Sequence, residues 1–248
     1  MGRRRGTGRH RAPIPFQMWD ERPSRDVWKD YVDRNHSLGK GLQKIFLDTI
    51  FNVAVLDVGP ISHFNAGMTS SDLALLRGLA SLYSACSYFE IGSRRCESLG
   101  NMAKVARECY SLSRPLGELR KKGLRNRYMY AIGSYTRAMQ NVFLLSGDSN
   151  TFNFDTLNKK FDIIFINSGH EYDRVLNDTR KAFEYLVHDQ SVVVWHEYSY
   201  FPEQVRFEVL AGILDGSDPA IREQLFFVAQ TKCAIFLRES LLQKIPPK

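Results

Sequence analysis

Several polar stretches of the chain could carry out chemistry, because each of them follows directly on a short apolar run. They comprise Glu90, Gly92 and Ser93, then Gly147, Asp148 and Ser149, then NSGHEY at 167–172 and HEY at 196–198. In an open parallel sheet, ligands bind outside the carboxyl ends of the strands, where the strand order reverses. The sequence therefore predicts that these stretches meet in a single site.

The two histidines among these residues suggest acid–base chemistry. His170 and His196 follow two different apolar runs, so we expect them to lie close together at one edge of the sheet. An imidazole titrates near neutral pH, which suits a general base that removes a proton from an acceptor group. One such histidine is more often a satisfied polar residue, whereas two that converge favour catalysis. We therefore predict that His170 or His196 is the base and that Glu197 orients an imidazole or binds the acceptor.

The elements that must position these side chains alternate along the sequence between apolar runs and amphipathic segments. The apolar runs predict strands at 87–91, 109–112, 141–146, 161–167 and 191–195, followed by a C-terminal hairpin in LFFVAQTKCAIFL. Amphipathic spacing predicts a helix from Ser70 to about Tyr83 and further helices after each of three later strands. This alternation indicates an α/β fold with a mostly parallel sheet, helices on both faces and an antiparallel hairpin at its end.

The basic character of the chain is concentrated at its N-terminus. The net charge of the 248 residues is +7, and five arginines lie among the first eleven residues, which contain no acid. Because this stretch has few apolar residues, it is predicted to be disordered. We therefore predict a basic, partly disordered segment at 1–40 and a single domain at 41–248.

Cysteine usage and hydropathy indicate a cytoplasmic protein without a transmembrane segment. The four cysteines show no C-x-x-C spacing, which is typical of reduced thiols rather than of a disulfide frame or a zinc cluster. The longest apolar stretch, at 44–58, contains three charged residues and is too short to span a bilayer. It predicts instead a helix, or a helix that leads into a strand, on the flank of the domain.

The order and spacing of these motifs carry a family resemblance. FEIGSRRCES, SGDSNTFNF, FDIIFINSGHEY and VVVWHEY fall between about Ser71 and Leu237. Together they resemble the class I S-adenosylmethionine (SAM)-dependent methyltransferases, and more narrowly the bacterial small-molecule O-methyltransferase-like branch. The resemblance implies a Rossmann-like, seven-stranded sheet with SAM over the turn after the first strand. It also implies methyl transfer to a small molecule or a saccharide.

The resemblance also implies roles for individual positions. Glu90, Gly92 and Ser93 would line the methionine side of SAM, Asp148 and Ser149 the adenine side, and Asn167 would lie beneath the transferring methyl group. Ser113 occupies the cofactor position at which the family has an acid that binds the ribose hydroxyls. Two further departures are Cys96 in place of a glycine and Asn167 in place of an aspartate.

The identity of any metal is left open by the residues. Catechol-type relatives hold Mg²⁺ with carboxylates and an amide, and the corresponding set here is Asn167, His170, His196 and Glu197. One carboxylate with two imidazoles suits a softer divalent ion better than it suits Mg²⁺. Metal-free base catalysis, or no catalysis, is an equal alternative.

Two other functions also stay open. The three departures favour a catalytically degenerate methyltransferase fold that acts as a binding or scaffold protein. The arginine-rich tail and the basic connection at 114–137, with its interleaved tyrosines, suggest an RNA-associated protein. Because such a stretch is more often a solvated helical face, nucleic acid is the least favoured partner. A small-molecule acceptor is the expected partner, with a homodimer as a further alternative.

Overall fold

The architecture of the protein is given by a computed structural model, which describes residues 22–51, 58, 67–93, 96–115, 117, 136, 138–200 and 204–242. The arginine-rich tail and most of the basic connection at 114–137 lie outside the described residues. The strands of the described part are β1 (Gln43–Ile45), β2 (Ser87–Ile91), β3 (Glu108–Ser113), β4 (Val142–Ser146), β5 (Phe161–Ile166), β6 (Val187–Trp195), β7 (Leu225–Val228) and β8 (Ala234–Phe236). In this part, they form one sheet of eight strands in the order β1-β7-β8-β6-β5-β2-β3-β4.

The pairing of the strands confirms the predicted α/β architecture. Five pairs are parallel, and β8 pairs antiparallel with both β6 and β7. The described sheet has eight strands where seven were predicted, because β1 adds to its edge beside β7. The stretch at 44–58 begins in a strand and continues into a short helix, so the predicted order, a helix that leads into a strand, is reversed. Most of the remainder of this stretch lies outside the described residues.

Five of the helices of the described residues lie between strands, whereas the first precedes β1 and the last follows β8. The described helices are α1 (Arg22–His36), α2 (Leu47–Ile50), α3 (Ser70–Ala80), α4 (Glu97–Met102), α5 (Tyr172–Lys181), α6 (Phe207–Gly216) and α7 (Glu239–Leu242). A π-helical turn, Ala182–Leu186, extends α5, and two 3₁₀ turns lie at Phe154–Leu157 and Pro219–Gln224. No described helix has both the length and the apolar character of a membrane span.

The N-terminus of α3 is fixed by a reciprocal cap. The Thr69 hydroxyl accepts a hydrogen bond from the Asp72 backbone N–H, and the Asp72 carboxylate accepts one from the Thr69 backbone N–H. This capping box satisfies two backbone donors that a helix start otherwise leaves unpaired. The helix ends at Ala80 and not near Tyr83, because the backbone N–H groups after Ala80 bond in tighter i→i−3 turns.

Helix α1 lies within the predicted segment 1–40 and contacts the domain. The hydroxyls of Tyr31 and Tyr172 both donate to Asp215 Oδ2, at 2.7 and 2.8 Å. His36 Nε2 lies 2.9 Å from Asp215 Oδ1. These contacts bind α1 to α5 and α6, while the domain boundary at residue 40 stays a prediction.

The strand order reverses between β2 and β5, at the centre of the sheet. From β2, the chain adds β3 and β4 on one side and then β5 and β6 on the other. Backbone hydrogen bonds align these carboxyl ends: Gly92 N–H donates to Leu112 O at 2.9 Å, and Asn167 N–H donates to Ile91 O at 2.8 Å. The polar stretches identified in the sequence therefore lie along this edge, where an α/β sheet binds ligands.

Candidate active site

The turn after β2 requires a glycine at position 92. Gly92 has a φ of +99°, in the region that side chains rarely adopt. A Cβ at this position would lie 2.2 Å from the Ser168 Cα and 2.5 Å from the Asn167 carbonyl oxygen. The carboxyl ends of β2 and β5 thus approach so closely that only a glycine fits between them.

Cys96 stands at the position where the resembled family has a glycine, and it adopts a left-handed backbone conformation of the kind that glycine favours. It is the N-cap of α4 and has a φ of +64°, in the left-handed region. A non-glycine residue in this conformation costs about 1–2 kcal/mol. The side chain is buried, and its Sγ lies 3.0 Å from the Ser93 Oγ. The substitution therefore keeps the loop conformation and fills the space beneath it.

Glu90 lies beneath the turn rather than along a ligand surface. The Tyr88 hydroxyl donates to its carboxylate at 2.9 Å, and the Ser98 hydroxyl donates to both of its oxygens at 2.8 and 2.7 Å. Burial raises the pKa of the Glu90 carboxyl, although these donors act in the opposite direction. The role of Glu90 on the methionine side of a cofactor stays a prediction.

A cleft opens above the turn, between the carboxyl ends of β2, β3 and β4. This inner cleft holds about 130 Å³, and its lining includes Ile91, Gly92, Ser93, Ser113, Gly147 and Ser149. An outer cleft of about 540 Å³ adjoins it, lined by residues that include Asn150, Gly169 and His170. The two clefts share Arg114, Ser168 and Arg174. Four of the residues predicted to bind a cofactor thus line one continuous surface.

Asp148 is engaged by an arginine at the border of the clefts. Arg114 Nε lies 2.8 Å from Asp148 Oδ2, and the Asn150 backbone N–H donates to Asp148 Oδ1 at 3.0 Å. The sequence predicts that Asp148 lies on the adenine side of a cofactor. A ligand would therefore meet this carboxylate together with a guanidinium group.

Sequence reasoning missed Asp178, which lies buried in α5 below the clefts. The Ser168 hydroxyl donates to its Oδ2, and the Asn177 side-chain amide donates to its Oδ1 at 2.9 Å. Burial raises the pKa of the Asp178 carboxyl. Its position three residues after Val175, on the buried face of the helix, is the signal that could have identified it.

The two histidines predicted to converge have different surroundings. His196 is buried, with Nδ1 3.0 Å from Asn167 Oδ1 and Nε2 3.4 Å from Asp72 Oδ2. His170 is partly exposed and lines the outer cleft. Among the described residues, the two histidines share no hydrogen bond, and each has its own set of partners. The geometry therefore separates a buried imidazole from one that a ligand can reach.

Glu197 forms an ion pair beside the buried histidine. Its Oε2 lies 3.0 Å from Arg206 Nη2, and the Arg206 guanidinium stacks over the Tyr200 ring with its carbon 3.9 Å from the ring centroid. Glu197 has a φ of +64° and keeps part of its surface exposed. Residues held in this left-handed region are concentrated at functional sites.

The residues considered for a metal do not form a metal site. Both nitrogens of His196 face oxygen atoms of the protein, and Glu197 pairs with Arg206. Within the described part of the chain, no group of three or more histidine, cysteine, aspartate or glutamate residues could hold an ion. We therefore assign no metal to this arrangement.

A comparison with protein families identifies the core of this site. The family model described as a methyltransferase domain matches residues 89–198. The match covers 110 of the 248 residues, less than half of the chain. The matched stretch runs from β2 through the end of β6 and so includes the glycine turn, the clefts and both histidines. The match supports the family predicted from the motifs.

Two methyltransferases are among the solved structures that are similar to the chain. They include the SAM-bound amino pentose methyltransferase CalS10 from Micromonospora echinaspora (17% identity, 54% of this chain, 52% of that chain, TM-score 0.39). The O-methyltransferase TomG from Streptomyces achromogenes, in complex with SAM, is 15% identical over 68% of this chain and 80% of its own, with a TM-score of 0.48. The chain spans about half the length of CalS10. No curated protein sequence matches the chain.

Proposed function

We propose that the chain is a SAM-dependent methyltransferase that methylates an oxygen atom of a small molecule or a saccharide. The observation that carries the proposal is the inner cleft, which opens over the Gly92 turn at the reversal point of the sheet. The match of the methyltransferase family model to 89–198 supports this assignment. The bacterial origin, cytoplasmic location and homodimer stay predictions from the sequence.

The residues of the inner cleft fit the parts of SAM. Gly92 leaves the space that a Cβ would fill, so a cofactor can approach the backbone there, and the Ser93 hydroxyl lies beside it. Ser113 follows as the position for the ribose, and Ser149 as a position for the adenine. When bound, SAM supplies a methyl group that is open to in-line displacement. The chain's part is to align the acceptor and to take up its proton.

His170 is the better placed of the two candidate bases. Its side chain is partly exposed in the outer cleft, which is within the size range of ligand pockets, roughly 300–1,000 Å³. A base needs an unshared electron pair within reach of the acceptor. We therefore place the acceptor in the outer cleft, with its reacting hydroxyl against His170.

A specific set of observations favours a second candidate function, a binding protein built on a degenerate methyltransferase fold. Ser113 offers no carboxylate to a ribose, and Asp148 is already paired with Arg114. The inner cleft alone, at about 130 Å³, is also smaller than a typical ligand pocket. Under this alternative, the clefts would bind a ligand without transferring a methyl group.

Titration calorimetry with SAM and S-adenosylhomocysteine tests the proposal, with and without divalent ions. We expect both ligands to bind without added metal. We also expect Ser113→Asp to tighten binding about tenfold to a hundredfold, because a charged hydrogen bond to the ribose contributes about 1.5–3 kcal/mol. Ser113→Asn is the matched control, because asparagine has nearly the same size as aspartate but lacks its negative charge. An absence of binding heat at millimolar ligand would contradict the proposal.

A further inference from the structure

Two arginines lie at the border between the inner and the outer cleft. Arg114 and Arg174 line both clefts. Among the described residues that line the inner cleft, they are the ones that carry a charge, and the others are serines, glycines and two apolar residues. The family resemblance expects a carboxylate at Ser113, so this cleft is cationic at a point where an acid is expected. A cationic border favours a negatively charged group on a ligand.

Arg174 reaches the border because Gly169 has no side chain. Arg174 is the third residue of α5, and its Cδ would lie 2.6 Å from a Cβ added at Gly169. A carboxylate oxygen of Glu171 would lie 2.5 Å from the same Cβ. The backbone of Gly169 is not in the left-handed region, so glycine provides space here and not a special backbone conformation. A side chain at this position would displace Arg174 from its path to the clefts.

The charge of Arg174 has no partner within the described part of the chain. No described residue forms a hydrogen bond or an ion pair with its guanidinium group, and the side chain is half-buried. An arginine keeps its proton in a protein, so this charge is permanent. Removing a charge from water is costly unless the charge is paired. An anionic group of a ligand would supply the missing partner.

Arg114 and Ser149 also present buried polar atoms to the clefts. The Arg114 Nε lies 2.8 Å from Asp148 Oδ2 but is buried and completes no hydrogen bond. A guanidinium group has five N–H donors, so this ion pair leaves donors for a ligand. The Ser149 hydroxyl is buried and completes no hydrogen bond, although the Asp178 carboxylate lies nearby. Buried polar groups are otherwise almost always hydrogen-bonded, so these atoms indicate where a ligand can bind.

We propose that Arg114 and Arg174 bind a phosphate group of the methyl acceptor at the border of the two clefts. The assignment of the phosphate to the acceptor rests on the proposed function, whereas the phosphate site itself does not. A phosphate monoester carries a charge of about −1.5 to −2 at pH 7 and three acceptor oxygens. Guanidinium groups bind such oxygens through two parallel hydrogen bonds. A phosphate can therefore engage both arginines, whereas a carboxylate has one charge and two oxygens.

The acids of the outer cleft do not oppose this assignment. Glu171 and Asp173 line that cleft from exposed positions, where solvent and salt screen their charges. Glu171 also accepts the backbone N–H of His170 at 3.2 Å. The acceptor is thus a phosphorylated small molecule, with its phosphate at the border and its reacting hydroxyl against His170.

Titration calorimetry on the full-length protein, saturated with S-adenosylhomocysteine, tests the site with glucose 1-phosphate as the probe. Glucose is the neutral control, and glucuronate is the carboxylate control. We expect glucose 1-phosphate to bind at least tenfold more tightly than either control and to be displaced by inorganic phosphate at constant ionic strength. Equal affinities for glucose 1-phosphate and glucose, or a preference for glucuronate, would overturn the proposal. If S-adenosylhomocysteine does not bind, the proposed function fails, and the same titration without it still decides the phosphate site.

Variants assign the effect to Arg174. Arg174→Gln should weaken the binding of glucose 1-phosphate about tenfold to a hundredfold, because charged hydrogen bonds are lost, and should leave the affinity for S-adenosylhomocysteine unchanged. Arg180→Gln is the matched control: it removes the same charge from the same helix, but Arg180 is exposed and its guanidinium donates to the Asp215 carbonyl at 3.5 Å. Equal losses in the two variants would indicate a general effect of charge. A parallel loss of affinity for S-adenosylhomocysteine in Arg174→Gln would assign the arginine to the carboxylate of the cofactor. Either result would overturn the proposal.

Discussion

Gly92→Ala is expected to lower the free energy of unfolding by about 2–5 kcal/mol and to abolish cofactor binding. The left-handed backbone contributes about 1–2 kcal/mol of this loss and the overpacking about 1–3 kcal/mol. The new Cβ would meet backbone atoms of Asn167 and Ser168 at 2.2–2.5 Å. Because backbone atoms cannot rotate away, the ends of β2 and β5 must separate. Urea unfolding followed by tryptophan fluorescence measures the change.

Gly147→Ala is the matched control, because Gly147 lines the same inner cleft. A Cβ there would approach a ring atom of Phe152 at 3.0 Å, and the backbone is not in the left-handed region. A side chain can give way, so we expect a loss within about 1 kcal/mol. Equal losses in the two variants would show that the turn at Gly92 has no special requirement for glycine.

Asp72→Asn is expected to lower the free energy of unfolding at pH 7 by about 1–3 kcal/mol. The Asp72 carboxylate accepts the backbone N–H groups of Thr69 and Lys232 with its two oxygens. An asparagine would turn an NH₂ group towards one of them, and a buried donor left without an acceptor costs about that amount. Asp218→Asn is the control, since Asp218 caps a 3₁₀ turn in an exposed position and asparagine is an equally good cap.

The pH dependence of this effect follows from the direction of the pKa shift. The pKa of Asp72 in the folded protein lies below its ordinary value of 3.8. Its ionised form therefore stabilises the fold above pH 3.8, and this stabilisation is lost as the pH falls through the folded value. The difference in unfolding free energy between the wild type and Asp72→Asn should be complete at pH 7 and shrink below pH 3.8. A difference that stays constant on acidification would contradict the assigned role.

The central strands could be predicted from the sequence because their residues are buried on both faces. Every residue of β2 is buried, and β5 reads as an unbroken apolar run apart from Asp162. Strand β1 could not be predicted in the same way. It has three residues, two of which are exposed, so it leaves neither an apolar run nor an alternation. Its place in the sheet depends on pairing with β7. In this pairing, Gln43 lies opposite Phe226, which is 183 positions later in the chain.

The edge of the sheet that carries the site could also be predicted, but the directions of its side chains could not. Gly92, Ser93, Ser113 and Ser149 line the inner cleft as the motifs imply. Glu90 and His196 turn inward because Ser98 and Asp72 supply hydrogen bonds from other elements. Asp72 lies 124 residues before His196 and reads in the sequence only as a helix start. Strand order fixes an edge, while partners from distant elements fix where each polar side chain points.

Hydrogen exchange with and without S-adenosylhomocysteine is a direct test of the claim that the cofactor lies over the Gly92 turn. We predict slower amide exchange in peptides that cover 91–93, 112–114 and 147–150, which line the inner cleft. Peptides of the β7–β8 hairpin should be unchanged and serve as the internal control. Protection that is absent from these three peptides, or that occurs only elsewhere in the chain, would contradict the claim.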